Sequence, residues 1–225
     1  MRVVSAPLAD LVAEELGCRR GARLVFVGLS FRLPAGAALV LTGANGSGKT
    51  SLLRVVASLI PPETGRLAWG DAPIAADLTA HRSRLHYVGH LDAVKPALTP
   101  RETLSFWAAL RGLRPSRSAA AVEEALGGFA LEMVADWPCR WLSAGQRRRL
   151  ALSRLLVAPA PLWLLDEPSL ALDDDNRTRL ETAIAMHRAS GGRVLLATHT
   201  PLALDSPDRL ALDGFAPGSA AGDFC

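Results

Sequence analysis

Apolar residues along this chain come in short runs bounded by turn-forming residues, and the runs alternate with stretches of helical spacing. The runs at 39–42, 162–166 and 194–198 lack a polar alternation, the pattern of strands covered on both faces. Each is followed by a polar or glycine-containing turn. That order predicts an α/β fold with a mainly parallel sheet flanked by helices, in which ligands gather at the C-terminal ends of the strands. Segments 24–33 and 66–69 read as strands of an accessory antiparallel layer, and a further strand is expected at 85–88. The segment 92–140 differs. Thr99-Pro100-Arg101-Glu102 combines a cap, a proline at the first helical position and a capping-box acid. Apolar positions then recur at Leu104, Trp107, Ala108 and Leu110, and a second helix is expected at 119–126, before Gly127-Gly128. This stretch reads as a helical insert within a single domain spanning 1–225, and Phe106 and Trp107 in it fit either a partner contact or the core. The Gly-, Ala- and Ser-rich tail 213–225 is expected to fray.

The composition excludes more than it proves. With 225 residues, 49% of them hydrophobic, the chain can bury a sizeable core and is not globally disordered. A net charge of +3 is too small to argue for nucleic acid. Arg147, Arg148 and Arg149 form a local basic cluster, which on a helix reads as a solvated face. Cys18, Cys139 and Cys225 have no metal-ligand spacing, which fits a reducing compartment. No apolar run reaches the ~18 residues of a membrane span, and Asp10, Glu14 and Glu15 argue against a secretory leader. Action at a membrane therefore requires a partner.

The chemistry concentrates after the predicted strands. Gly43-Ala44-Asn45-Gly46-Ser47-Gly48-Lys49-Thr50 fits the phosphate-binding pattern G-x-x-x-x-G-K-[ST] between a strand and a helix expected over 50–59. Its glycines let backbone N–H groups curl around an anion, aided by the following helix N-terminus and Ser51. Lys49 would reach the β- and γ-phosphates of ATP, and the Thr50 hydroxyl would bind Mg²⁺. Asp166 and Glu167 end the apolar run 162–166. Asp166 is the candidate metal carboxylate and Glu167 the candidate base for the attacking water. His199 follows another strand and fits a hydrogen bond to phosphate or water, or a turn at the surface. Ser143 and Gln146 make a capping-box pattern at the start of a further helix, with Gly145 leaving its N-terminus open to an anion.

Together these motifs resemble the ABC (ATP-binding cassette) ATPases over nearly the whole chain. Residues 43–50 are similar to Walker A, 142–146 to the family signature with Ala144 where glycine is usual, 162–167 to Walker B, and 169–173, ending in Asp173, to the D-loop. His199 matches the switch histidine. The resemblance implies a P-loop ABC cassette with a RecA-like parallel sheet, an antiparallel β layer and a helical insert. It also implies a head-to-tail homodimer in which ATP lies between the Lys49 loop of one copy and Ser143 and Gly145 of the other.

Two positions depart from the family. His90 stands where glutamine commonly links the metal site to the membrane partner, although Mg²⁺ prefers oxygen ligands. Arg20 stands near the usual adenine-stacking aromatic; its guanidinium can stack on a base or remain solvated. With Cys18, Lys95, Leu98, Thr99 and Glu102, these departures resemble the ATPase subunits of cytochrome c maturation systems. That resemblance implies a multi-span membrane subunit as partner and a peripheral position on the cytoplasmic face of the inner membrane. No haem is expected on this chain itself, because no C-x-x-C-H occurs and the histidines suggest no haem site, and no nucleic-acid partner is expected, because the chain has neither a long coiled-coil insert nor a tandem cassette. The motor of another small-substrate exporter is the alternative, and a soluble ABC ATPase acting on nucleic acid or ribosomes ranks behind it.

Overall fold

The computed structural model describes residues 8–218. Its centre is a parallel five-stranded sheet of β3 (Ala38–Thr42), β6 (Leu85–Val88), β7 (Leu162–Asp166), β8 (Arg193–Ala197) and β9 (Asp208–Ala211), in the order β6-β7-β8-β3-β9. A second, antiparallel sheet joins β1 (Leu11–Arg20), β2 (Arg23–Leu33), β4 (Thr64–Trp69) and β5 (Ala72–Pro73) in the order β2-β1-β4-β5.

The unbroken apolar runs of the parallel strands have a simple cause: each face of the sheet closes a different core. Val40, Trp163, Leu165, Val194 and Leu196 belong to one cluster, and Leu39, Leu41, Leu162, Leu164 and Leu195 to the other. The second cluster is filled by Leu52, Leu53, Val55 and Val56 of helix α1 (Lys49–Val56), which packs between the two sheets. The short helix α2 (Leu78–Ser83) follows β5. On the opposite face, the first cluster gathers residues of α3 (Pro100–Leu110), α4 (Pro115–Gly128), α5 (Ala144–Val157) and α6 (Asp174–Ala189).

The helices α3 and α4 stand between β6 and α5. Thr99 Oγ1 accepts from Glu102 N at 3.1 Å while Thr99 N donates to Glu102 Oε2 at 2.8 Å, the reciprocal cap that the sequence pattern suggests. Phe106 is 54% exposed, whereas Trp107 is half-buried beneath the Arg154 guanidinium, 4.9 Å from its ring centroid.

The fraying expected from residue 213 onward does not begin there. Leu212–Phe215 forms a 3₁₀ turn anchored by the fully buried Leu212. Residues 219–225 of the expected tail lie outside the described residues. The solvated arginine face is also corrected. Arg147 donates to Leu142 O at 2.5 Å, Arg149 to Phe129 O at 2.9 Å and Ala130 O at 2.7 Å, and Arg148 is 2% exposed. Carbonyls left free at nearby chain turns draw these donors inward.

Candidate nucleotide site

The strand β3 delivers the chain into a loop with three left-handed glycines, Gly43 (φ 133°), Gly46 (φ 83°) and Gly48 (φ 109°). At Gly48 a Cβ would also come within 2.7 Å of Val25 Cγ1, so both backbone angle and space require glycine. Lys49 opens α1 and turns back over the loop, its Nζ donating to Gly43 O at 2.7 Å and Ala44 O at 3.0 Å. It is only 8% exposed. Ser47 Oγ is buried and makes no hydrogen bond. A buried ammonium resting on carbonyls, an unpartnered hydroxyl and a glycine-lined curl at a helix start fit a phosphate chain.

The carboxylates sit opposite. Thr50 Oγ1 lies 2.9 Å and 3.1 Å from the two oxygens of the buried Asp166, an all-oxygen pair of the kind that suits Mg²⁺. Glu167 follows with φ 49°, a left-handed conformation in a residue that is not glycine. Its amide donates to Ala197 O at 2.8 Å, and its Oε2 accepts from His199 N at 3.1 Å. The His199 ring is close as well, with Nε2 3.7 Å from Glu167 Oε1.

A cleft of about 580 Å³ collects these groups: Asn45, Gly46, Gly48, Lys49, Thr50, Ser51, Asp166, Glu167 and His199 line it. So do Arg20, at the end of β1, and the exposed His90. Arg23, Val25 and Arg54 line it too and were not anticipated. Arg54 is four residues past Thr50, one helical turn on, and that spacing was the available signal. A further group was also missed: the Asp213 carboxylate accepts from Ala44 N at 3.1 Å and 3.3 Å and so anchors the start of the loop.

Ser143, Gly145, Gln146 and Asp173 do not line this cleft. Ser143 Oγ accepts from Gln146 N at 3.1 Å while Ser143 N donates to Gln146 Oε1 at 2.8 Å, and the hydroxyl hydrogen is left free to donate elsewhere. A Cβ at Gly145 would stand 2.9 Å from Ala171 O, so this glycine also lets the loop before α6 approach. Asp173 caps α6, accepting from Asn176 N at 2.9 Å and Asn176 Nδ2 at 2.6 Å, and these bonds hold its pKa below the ordinary range.

Comparison with known proteins places this geometry. Residues 26–170 match the family model described as ABC transporter. The chain belongs to the ABC transporter ATP-binding family. Among its relatives, the cassette is 54% identical over 218 residues to a Rhodospirillum rubrum protein named "Cytochrome c biogenesis ATP-binding export protein CcmA", covering 96% of this chain and 92% of that one. It is 52% identical over 204 residues to a protein of the same name from Paramagnetospirillum magneticum, covering 91% and 94%. A solved ATP-binding subunit of an ABC transporter superposes with TM-score 0.76 at 25% identity, over 84% of the cassette and 79% of that chain. The fold is also that of an ATP-binding cassette solved as a dimer in a post-hydrolysis state with ADP and Pi (TM-score 0.76, 21% identity, 84% and 88% covered).

Proposed function

We propose that this cassette hydrolyses ATP to drive a membrane complex of c-type cytochrome biogenesis. Its identity to the two export proteins, over nearly their full lengths, is the observation that carries this reading. Within the cleft, Asn45, Gly46, Gly48, Lys49 and Ser51 would hold the phosphates, with Gly43 and Ser47 in the same loop though not lining the cleft, and Arg20 would lie against the base. Thr50 and Asp166 would hold Mg²⁺, with His90 at the edge of the same cleft. When bound, the ion supplies charge neutralisation for the phosphate oxygens. Glu167 would orient and deprotonate the attacking water, and His199, hydrogen-bonded to Glu167 through its amide, would steady that carboxylate.

The phosphate side of the cleft is complete in one chain, but the capped N-terminus of α5 is outside it and exposed. This supports a head-to-tail homodimer in which Ser143, Gly145 and Gln146 of one copy, with Asp173 nearby, close the cleft of the other. ATP then favours the closed dimer by binding it better than the open one. Likeness to the two export proteins supports peripheral attachment to a multi-span subunit on the cytoplasmic face; among the described residues no helix is long and apolar enough to cross a membrane.

We assign no haem contact to this chain. His81 accepts from Trp69 Nε1 at 3.0 Å and pairs with Val56 O, His86 pairs with Ala158 O, His187 stacks on Trp163, and His90 and His199 line the nucleotide cleft.

Deleting the gene and staining membranes for covalent haem tests the proposal. Loss of c-type cytochromes alone, restored by the wild-type chain but not by Glu167→Gln, is the expected result. Normal cytochrome levels in the deletion strain would redirect the assignment to another exporter.

A further inference from the structure

The Arg148 guanidinium is 2% exposed, and each of its five N–H groups has an acceptor to meet. Nη2 donates to Asp166 O at 2.8 Å and Glu167 O at 2.6 Å, and Nε to Pro168 O at 3.2 Å. Nη1 donates to Gly89 O at 2.9 Å and Asp92 Oδ1 at 3.1 Å. Asp92 is its sole carboxylate partner among the described ion pairs; the other four acceptors are backbone. A cation is expensive to bury, and this one is placed where it holds three consecutive carbonyls.

Those carbonyls flank the strained residue. The peptide groups on either side of Glu167 set its φ of 49°, and Arg148 grips the oxygen of each. The same guanidinium holds the 89–92 loop that carries His90, and Arg148 itself rides on α5, whose first turn is the capped Ser143. One planar group thus connects the signature helix, the His90 loop and the turn that aims Glu167.

We infer that Arg148 is a positioning residue for hydrolysis: it holds Glu167 in its left-handed conformation and ties that conformation to the Gly89–Asp92 loop. The inference rests on the reading of Glu167 as the base. Lysine keeps the charge but not the planar fork, so Arg148→Lys should lose most of the effect.

The test is steady-state ATPase activity of the purified full chain. In Arg148→Lys and Arg148→Met, kcat should fall about ten-fold or more with KM for ATP changed less than about two-fold, because a group displaced at the reaction centre costs rate rather than binding. Asp92→Asn, which disturbs one of the five contacts at a carboxylate 25% exposed, should lower kcat by about two- to five-fold. In a Glu167→Gln background, where the base is already absent, Arg148→Lys should change residual turnover by less than about two-fold. Unchanged kcat in Arg148→Lys, a parallel rise in KM, or an undiminished effect in the Glu167→Gln background would each overturn the positioning role. Should Met at 148 prevent folding, as a melting curve would reveal, Arg148→Lys and Asp92→Asn still decide. Normal turnover in Glu167→Gln alone would instead remove the base assignment, so the two readings fail separately.

Discussion

Gly48 and His187 illustrate how single positions here answer to neighbours far away in sequence. Alanine at 48 would need φ 109° and a methyl group 2.7 Å from Val25 Cγ1 and 3.1 Å from Phe26 Cδ1. Gly48→Ala should therefore cost about 1–3 kcal/mol and sharply weaken ATP binding, measurable by thermal melting and nucleotide titration. His187 lies flat on Trp163, ring centroids 3.9 Å apart, and burial pushes its pKa down to about 4; burial, helped by Arg111, takes His86 to about 3. An unfolded histidine takes up its proton near pH 6.5, well above either folded value, so both contribute stability at pH 7 that is lost as the pH falls below about 6.5. Denaturant unfolding at pH 7 and pH 5 should show the drop, smaller by about 1–2 kcal/mol in His187→Phe, which keeps an aromatic stack. The phosphate-loop residues were legible in sequence because their chemistry is encoded in eight consecutive positions. Arg148, Arg54 and Asp213 were not, because their partners at Glu167, Tyr87 and Ala44 become neighbours only through the fold.

Among the elements, both capping boxes follow local rules and were readable as patterns. Ser143→Ala should remove the acceptor for Gln146 N and cost about 1 kcal/mol of stability. The proposed dimer adds a second effect: ATP turnover should fall by more than that loss of stability explains, and Ser143→Asn, which can still cap, should restore the melting temperature but not the turnover. The strand β1 escaped the periodicity reading for a physical reason. Its inward residues are Leu11, Ala13, Leu16 and Cys18, and the pairing slips between Ala13 and Leu16, where Glu15 takes φ 50°. That irregularity breaks the two-residue period and leaves adjacent acids in mid-strand. The edge strand β9 was missed because four residues, two of them charged, carry little pattern. The buried parallel strands were readable because both faces need apolar residues.

For the molecule as a whole, the unfinished cleft sets the expectation for assembly. Glu167→Gln should bind ATP without releasing it by hydrolysis and shift from monomer to dimer on ATP addition, as light scattering would detect. A variant that turned over ATP at the wild-type rate while remaining monomeric would contradict both the base and the sandwich. Two cores sharing one sheet also make the site rigid from behind: Asp166 and the phosphate loop extend from strands packed on both faces.

The order of synthesis matters for the same loop. The strand β3 lies between β8 and β9, and Ala44 N is held by Asp213, so a loop made early in translation borrows its walls and its anchor from segments made much later. A nascent chain halted before residue 208 leaves β3 with an open edge and the loop untethered. ATP capture should therefore switch on only once Asp213 has left the ribosome.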